Sequence, residues 1–489
     1  MKLDYKKTIF VGFAFFLISA FWQAYDAIIP LALTNHFGMP QSVSGAVMSL
    51  DNILAVFMLP IFGALSDKVN SKYGKRTPFI VIGTVFAIIS FILLTVIDNH
   101  YISFAAQTNE AIATLREEIN LLFEKAAATS DEALKESFNA LAESKLAEVT
   151  ALTYEVTKAN VLSFVGFVGV LLAALISMAT FRSPAVALMP DVTIKPLRSK
   201  GNAIINLMGT AGGIIILVLG MIFKTSKNLF MSYTGYVVSV CAVMLFGLVV
   251  FVLTVRENKW ANQMLEDTER LKIEDISEEE ELSGSRKLSK PELVSLILIL
   301  ASVALWYIGY NSITSKYSVY ATNVLGFDYN ATLIIAQAAA IVSFIPVGML
   351  ASKIGRRRSI LIGVSLLTLS FFFASFITAA TNPVLMYVVF ITAGIGWATI
   401  NVNSFPMVVE LAKAGDVGKY TGYYYTASMA AQIVTPILSG LLIDWLGWKI
   451  FFPYAAVFVA ASLVTMFFVK HGDSHPAERE DAADGTEGV

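Results

Sequence analysis

Twelve stretches of the chain are apolar over about 20 residues or more, the length that crosses a bilayer as a helix. They fall at 8–33, 43–65, 78–97, 160–189, 200–223, 233–255, 292–314, 331–351, 359–378, 383–411, 419–443 and 449–470. The fold class that follows is an all-α membrane protein with twelve transmembrane helices. Composition agrees: of 489 residues 56% are hydrophobic and only 15% charged, against roughly 25% charged in soluble domains. That apolar surplus exceeds what one water-soluble core hides. The net charge of -2 says nothing about partners, because the charges are segregated into loops. The first stretch is too long for a signal-peptide core and runs on into another span, which predicts a retained first helix. Pro291 suits the first turn of the seventh span, and Pro406 bends the long tenth.

One phrase occurs twice. Gly63-Ala-Leu-Ser-Asp67 leads into Gly74-Lys75-Arg76-Thr-Pro78, and Gly348-Met-Leu-Ala-Ser-Lys353 leads into Gly355-Arg356-Arg357-Arg358. Each ends one apolar stretch and begins the next. A basic turn between paired membrane helices, once in each half, predicts two pseudo-symmetric six-helix bundles, the architecture of secondary transporters. The bundles are expected at 1–255 and 291–470. Lys68, Lys72, Lys75 and Arg76, then Lys195, Arg198 and Lys200, then Lys353 and Arg356 to Arg358, all fall in short loops on one face. The positive-inside rule makes that face cytoplasmic, with both termini on it and the chain multi-pass in a cell (inner or plasma) membrane.

Three segments lie outside the bilayer. Residues 256–290 read as a solvated linker with an acidic run, Glu278 to Glu281. Residues 471–489 read as a disordered tail. Residues 104–158 interrupt the first bundle on the outer side. Ile112, Leu115, Ile119, Leu122 and Ala126 recur at helical spacing, and Leu134, Phe138, Leu141, Val149, Leu152 and Val156 continue a similar stripe. With Thr129-Ser130-Asp131 as an N-cap between them, the expectation is an antiparallel hairpin of two amphipathic helices. It offers an outer-side protein contact.

Soluble catalytic signatures are absent: there is no Walker loop and no HExxH. The lone Cys241 permits no internal disulfide and no metal framework, and reads as a small buried hydrophobe. His36, His100, His471 and His475 fall in predicted loops or the tail. Asn330-Ala-Thr332 fits a glycosylation sequon and equally a helix N-cap. The expectation is no enzyme, no cofactor, no metal and no nucleic-acid partner.

What remains is polarity at membrane depth, which is tolerated where it faces a cavity or a partner. Asp26 and Asp51 lie in the outer parts of spans one and two, at similar depth. Arg182 lies about 12 Å, or eight helical residues, from the predicted cytoplasmic end of span four. These three are the candidate coupling residues; interfacial placement and snorkelling are their plain alternatives. A second set is aromatic or amide: Trp22, Gln23, Asn52, Asn206, Trp306, Tyr307, Tyr310, Asn311, Gln337, Trp397, Asn401, Asn403, Tyr424 and Gln432. Sugars present flat C–H faces and a rim of hydroxyls, which rings and amides match. Interhelical bonding is the alternative for each amide. At the basic turns, Asp67 is placed to pair with Lys75 or Arg76 as a latch that breaks as the halves rock. Arg356, Arg357 and Glu410 are the gating candidates of the second half, and Ser352 stands where Asp67 stands in the first.

The two phrases resemble the loop signature of the major facilitator superfamily. The longer form, Pro60-Ile-Phe-Gly63-Ala-Leu-Ser-Asp67 to Tyr73-Gly74-Lys75-Arg76-Thr-Pro78-Phe79, resembles the glycoside–pentoside–hexuronide:cation symporters and the related sucrose:proton symporters. Arg182-Ser-Pro-Ala-Val-Ala-Leu-Met-Pro190-Asp191, Gly396-Trp397, Pro406 to Glu410 and Gly418-Lys-Tyr-Thr-Gly422 are similar to later motifs of that group. The resemblance covers nearly all twelve spans and excludes 104–158. It implies uptake of a sugar or glycoside coupled to a cation, with Arg182 acting beside a membrane acid. The melibiose-type branch holds sodium with two acids one turn apart just before the second-span proline. Here Ala55 follows Asp51 by one turn and Leu59 precedes Pro60, which favours protons over sodium. The expected function is proton-coupled symport by alternating access. The alternatives are a proton-coupled exporter of drugs or metabolites, and a transporter-like membrane sensor.

Overall fold

The computed structural model describes residues 3–129, 131–194, 197–270, 288–411 and 417–472. The first half runs through α1 (Tyr5–Leu31), α2 (Gln41–Met48), α3 (Leu50–Lys68), α4 (Thr77–Thr108), α5 (Glu110–Ala128), α6 (Glu132–Ala159), α7 (Val161–Asp191), α8 (Arg198–Ile222) and α9 (Thr234–Thr254). After α10 (Glu257–Arg270) the second half comprises α11 (Lys290–Thr314), α12 (Tyr329–Ile354), α13 (Arg356–Ala374), α14 (Pro383–Glu410), α15 (Val417–Leu446) and α16 (Phe451–Phe467). Eleven spans are long and apolar enough to cross a membrane. The twelfth is α12, whose apolar part is the shorter stretch Tyr329–Phe344. The twelve expected spans are therefore all helices, within a few residues of their expected ends except for the third, expected to stop at 97, whose helix α4 runs on to Thr108.

Local chemistry sets several ends. Asp4 caps α1 by accepting from the Lys7 N–H at 3.0 Å. Ser289 and Glu292 form a capping box on α11. Asp328, not Asn330, caps α12. The sequon asparagine is fully buried and donates to Thr225 Oγ1 at 3.1 Å, which puts its amide out of reach of a glycosylating enzyme.

The histidines need one correction, and the second span one detail. The second span is present as Gln41–Lys68, with Ser49 as a one-residue break between α2 and α3; its Oγ donates to the carbonyls of Gly45 and Ile433, each at 2.9 Å. His100 lies within α4, and His36 is not in a loop either. It ends a π-helical turn, Ala32–His36, that extends α1, and it is buried with Nδ1 2.8 Å from Asp98 Oδ1. His471 lies past the end of α16, as expected, and bonds Ser295 Oγ at 2.9 Å at the foot of α11.

Helices α5 and α6 form the hairpin, and Asp131 caps α6 by accepting from the Ala133 and Leu134 N–H groups. All five residues of the first expected stripe are buried. The second stripe is shifted: Leu134 and Leu141 are exposed, and Ala142, Leu146, Val149, Thr153 and Val156 form the buried row.

The acidic run Glu278 to Glu281 and the tail from 473 lie outside the described residues, as does Lys195. The rest of the expected linker begins as α10, which carries the buried Glu257. Cys241 is buried, with Sγ 3.8 Å from the Ile88 carbonyl.

The halves are knitted together near the face that carries the hairpin. Asn35 and Asn323 exchange amide bonds at 3.2 and 2.7 Å. Asp444 of α15 accepts from the Gln41 and Ser42 N–H groups at 2.7 and 2.8 Å, capping α2 from the other half. Lys316 Nζ donates to the Gln41 carbonyl at 2.8 Å. Here α2 and α15 cross backbone to backbone. A Cβ on Gly45 would lie 1.9 Å from the Pro436 carbonyl oxygen, and one on Gly440 would lie 2.2 Å from that of Gln41. Small residues let membrane helices approach this closely.

Candidate functional site

The site is built where α1, α3 and α7 of the first half face α11, α12 and α14 of the second. Asp26 sits one turn before Pro30. Proline has no N–H, so the Asp26 carbonyl loses its helical partner; Ser318 of the second half donates to it at 3.4 Å. Asp51 lies in the first turn of α3, just past the break at Ser49. A carboxylate is favoured at a helix N-terminus, and Asn52 Nδ2 donates to its Oδ1 at 2.7 Å.

Folding brings all three coupling candidates together. Asp51 lies within electrostatic reach of both Asp26 and Arg182. The Arg182 guanidinium lies over the Trp22 ring, 5.5 Å from its centroid. The three charged side chains are half-buried, facing one another rather than lipid. Tyr25, which no sequence signal singled out, is buried between the two acids with a hydroxyl that no described residue partners. Trp22 Nε1 is likewise an unengaged donor among the described residues.

The opposite wall is aromatic. Tyr310 and Trp397 stack with centroids 3.6 Å apart and planes at 1°, and Tyr307 meets Trp397 edge-on at 5.4 Å. Tyr310 lies close enough to Asp26 to feel its charge, which joins this wall to the acids. Tyr424 bonds Ser404 Oγ at 3.0 Å behind it. Gln337 Nε2 donates to Gln23 Oε1 at 2.7 Å across the halves.

The amides sort by position. Asn311 and Asn401 are half-buried and return one donor to their own helix, at 2.9 and 3.0 Å. Asn206 is exposed, on the same face of α8 as Gly213, which points at the Gln23–Gln337 pair. Asn403 does not belong with them. It is 2% exposed and donates to the Thr399 carbonyl at 2.8 Å, inside the α13–α14 contact. Trp306 is also core, with no exposed surface. Both sit on the wrong side of helices whose other face lines the seam, a distinction that helical phase alone left open.

At the face of the basic loops, Arg76 pairs with Asp67 and Ser66, and its Nε donates to Asp191 Oδ2 at 2.8 Å. Lys75 does not pair with Asp67; its exposed side chain is uninvolved, and its backbone N–H donates to Glu257 at 2.6 Å. In the second half Arg356 pairs with Glu410 and donates to the Pro406 carbonyl at 3.3 Å. Arg357 donates to the Phe467 carbonyl. The two networks are counterparts, each joining a basic turn to the end of the fourth helix of its own half.

Among the described residues no cluster of three or more His, Cys, Asp or Glu side chains could hold a metal. A cavity of about 490 Å³ lies away from the site, between the hairpin residues Phe123 and Lys135 and the loop residues Lys227, Thr322 and Phe327. It holds none of the expected site residues.

The sequence pattern described as Major Facilitator Superfamily matches residues 149–431 and 335–487, more than half of the chain. The chain belongs to the major facilitator superfamily. A second pattern, described as MFS/sugar transport protein, matches residues 10–108. The fold is similar to an inward open conformation of the xylose transporter XylE from E. coli, at TM-score 0.60 and 13% identity over 96% of this chain and 97% of that one. It is similar to a point mutant of the nucleoside transporter NupG, at TM-score 0.56 and 14% identity over 95% and 100%. A POT family transporter in complex with 5-aminolevulinic acid gives TM-score 0.60 at 11% identity over 95% of each chain. The superfamily member is thus a multi-pass membrane carrier of small molecules, not an enzyme.

Proposed function

We propose that this carrier moves a sugar or glycoside together with a proton, by alternating exposure of a site between its halves. One observation carries the reading: a two-carboxylate, one-guanidinium cluster lies against an aromatic wall supplied by the other half. The wall offers stacking faces to a sugar. Gln23, Gln337, Asn311 and Asn401 offer both donors and acceptors to its hydroxyls.

The charge count supports the coupling. With Asp26 and Asp51 both ionised beside Arg182, the cluster carries one net negative charge in a low-dielectric seam. One proton makes it neutral, and a neutral cluster crosses between the two exposures at least electrostatic cost. Asp51, nearest Arg182, is the carboxylate that stays ionised, and Asp26 is the one that takes the proton. Asp26 also feels Tyr310 and is bonded through its carbonyl to Ser318, so its protonation is sensed by both halves. Sodium is less well served, because the second span supplies one acid rather than two.

In this reading the basic-loop face is cytoplasmic, and Arg76 with Asp67 and Arg356 with Glu410 serve as gating pairs. The test is uptake of labelled disaccharides into proteoliposomes under an imposed pH gradient. Gradient-driven accumulation is expected, and Arg182→Ala is expected to abolish it while exchange without a gradient survives. Undiminished uphill uptake by that variant would overturn the coupling assignment. Binding without flux would make the protein a sensor, and efflux of apolar cations without sugar uptake would make it an exporter.

A further inference from the structure

Glu257 is the first residue of α10, beyond the last span of the first half, yet it is only 4% exposed. Its side chain turns back into the loop between α3 and α4. Oε1 accepts from the backbone N–H groups of Lys75 and Arg76 at 2.6 and 2.9 Å. Oε2 accepts from the Thr77 N–H at 2.8 Å and from Thr77 Oγ1 at 2.7 Å. These N–H groups are the free donors at the start of α4, where a negative charge is favoured. One carboxylate from another element therefore serves as the cap that the local sequence does not supply.

The fit is close on every side. Gly74 has φ +116°, and a Cβ there would lie 2.2 Å from the Glu257 carboxyl group. Asn258 Nδ2 donates to the carbonyls of Ser71 and Lys72 at 3.0 and 3.2 Å. Lys7 Nζ lies 5.4 Å over the Trp260 ring. Thus α10 is strapped beneath the first half rather than trailing from it. The same Arg76 whose N–H Glu257 holds sends its guanidinium to Asp67 on α3 and Asp191 on α7.

We infer that Glu257 is a positioning residue for the gate: it fixes the Arg76 backbone so that the guanidinium ties α3 to α7, and so favours closure of the halves at the basic-loop face. The inference rests on the gating role of Arg76 and on rocking of the halves, not on the choice of substrate or cation. It makes the interdomain segment part of the conformational machinery, through one carboxylate.

The test reads the equilibrium between exposures. Thr322 is 2% exposed at the hairpin-face seam, so a cysteine there reacts slowly with a maleimide until that seam opens. Cys241 is the sole cysteine, so Cys241→Ser with Thr322→Cys gives a single reporter. Labelling of the purified full-length protein in detergent is followed on its monodisperse fraction. Closure at the basic-loop face is what opens the seam, so Glu257→Ala is expected to slow labelling about fivefold, the size of a lost cap expressed as a population ratio. Arg76→Ala is expected to slow it as much, and the double variant no further, because the two act in series. Glu257→Gln keeps one acceptor and is expected to fall between; it carries the test if the alanine variant does not fold. Slowing by Arg76→Ala with none by either Glu257 variant would overturn the role of Glu257 alone. Effects that multiply in the double variant would also overturn it, since a plain structural cap acts independently of Arg76. No slowing by Arg76→Ala would overturn the gating role and the inference with it.

Discussion

The two ends of the molecule close by different chemistry. At the hairpin face the halves meet through neutral amides, a helix cap and a glycine crossing, all reaching from one half to the other. At the basic-loop face, Arg76 with Asp67 and Asp191, and Arg356 with Glu410, are satisfied inside their own half. The hairpin-face seam is therefore the closed gate of this conformation. The charged networks of this conformation join a basic turn to helices of the same half.

The comparison breaks most easily at the glycine crossing. A Cβ on Gly440 meets backbone, which no rotamer relieves, so Gly440→Val is expected to reduce flux about a hundredfold and to speed labelling at Thr322→Cys. Normal labelling would show that the crossing is not the closure. Next in size is the amide pair. Asn35→Ala strands a buried Asn323 amide and is expected to speed labelling about tenfold, whereas Asn35→Leu with Asn323→Leu together should stay near the parent rate. The charged pairs should also register in thermal unfolding. The Arg76 side chain is 7% exposed and that of Arg356 29%, so Arg76→Ala is expected to cost about 2 kcal/mol and Arg356→Ala about 1 kcal/mol. Equal losses would erase the distinction between the halves.

The smallest effect is a pH dependence. Lys316 lies beyond the end of α11, where burial pushes its ammonium from 10.5 down to about 7, with Asp444 opposing. An open seam hydrates Lys316 and returns it toward 10.5. Between those values the open form binds the extra proton, so raising the pH from about 7 favours the closed seam. Labelling of Thr322→Cys is expected to slow across that range, and Lys316→Met to flatten the profile.

Much of this was legible in the chain. Apolar length set the helices, because a span has few ways to satisfy its backbone in lipid. The repeated phrase located Arg76 and Arg356, because helix-joining basic turns are local. Asp26, Asp51 and Arg182 stood out because charge at that depth is rare. What escaped was decided by partners distant in sequence. Asn403 and Asn401 differ by half a helical turn, and only packing against α13 tells core from lining. His36 was read as a loop residue because the apolar run stops at Leu33, inside the π-helical turn that buries it against Asp98, 62 positions away. Glu257 looks like any solvated acid at a linker's start until the loop 180 residues earlier folds around it.

The hairpin gives the first half an arm. Its longer helix, α6, spans 28 residues, about 42 Å at 1.5 Å per residue. Its flank reaches the second half, where Lys135 and Asn139 share a cavity wall with Thr322 and Leu325. A domain rotation of about 10°, ordinary for such transitions, would sweep the end of that arm through about 7 Å. Each turnover is thus magnified into a displacement outside the bilayer, where an antibody fragment gripping the arm would stall the cycle and a dye on it would count the strokes.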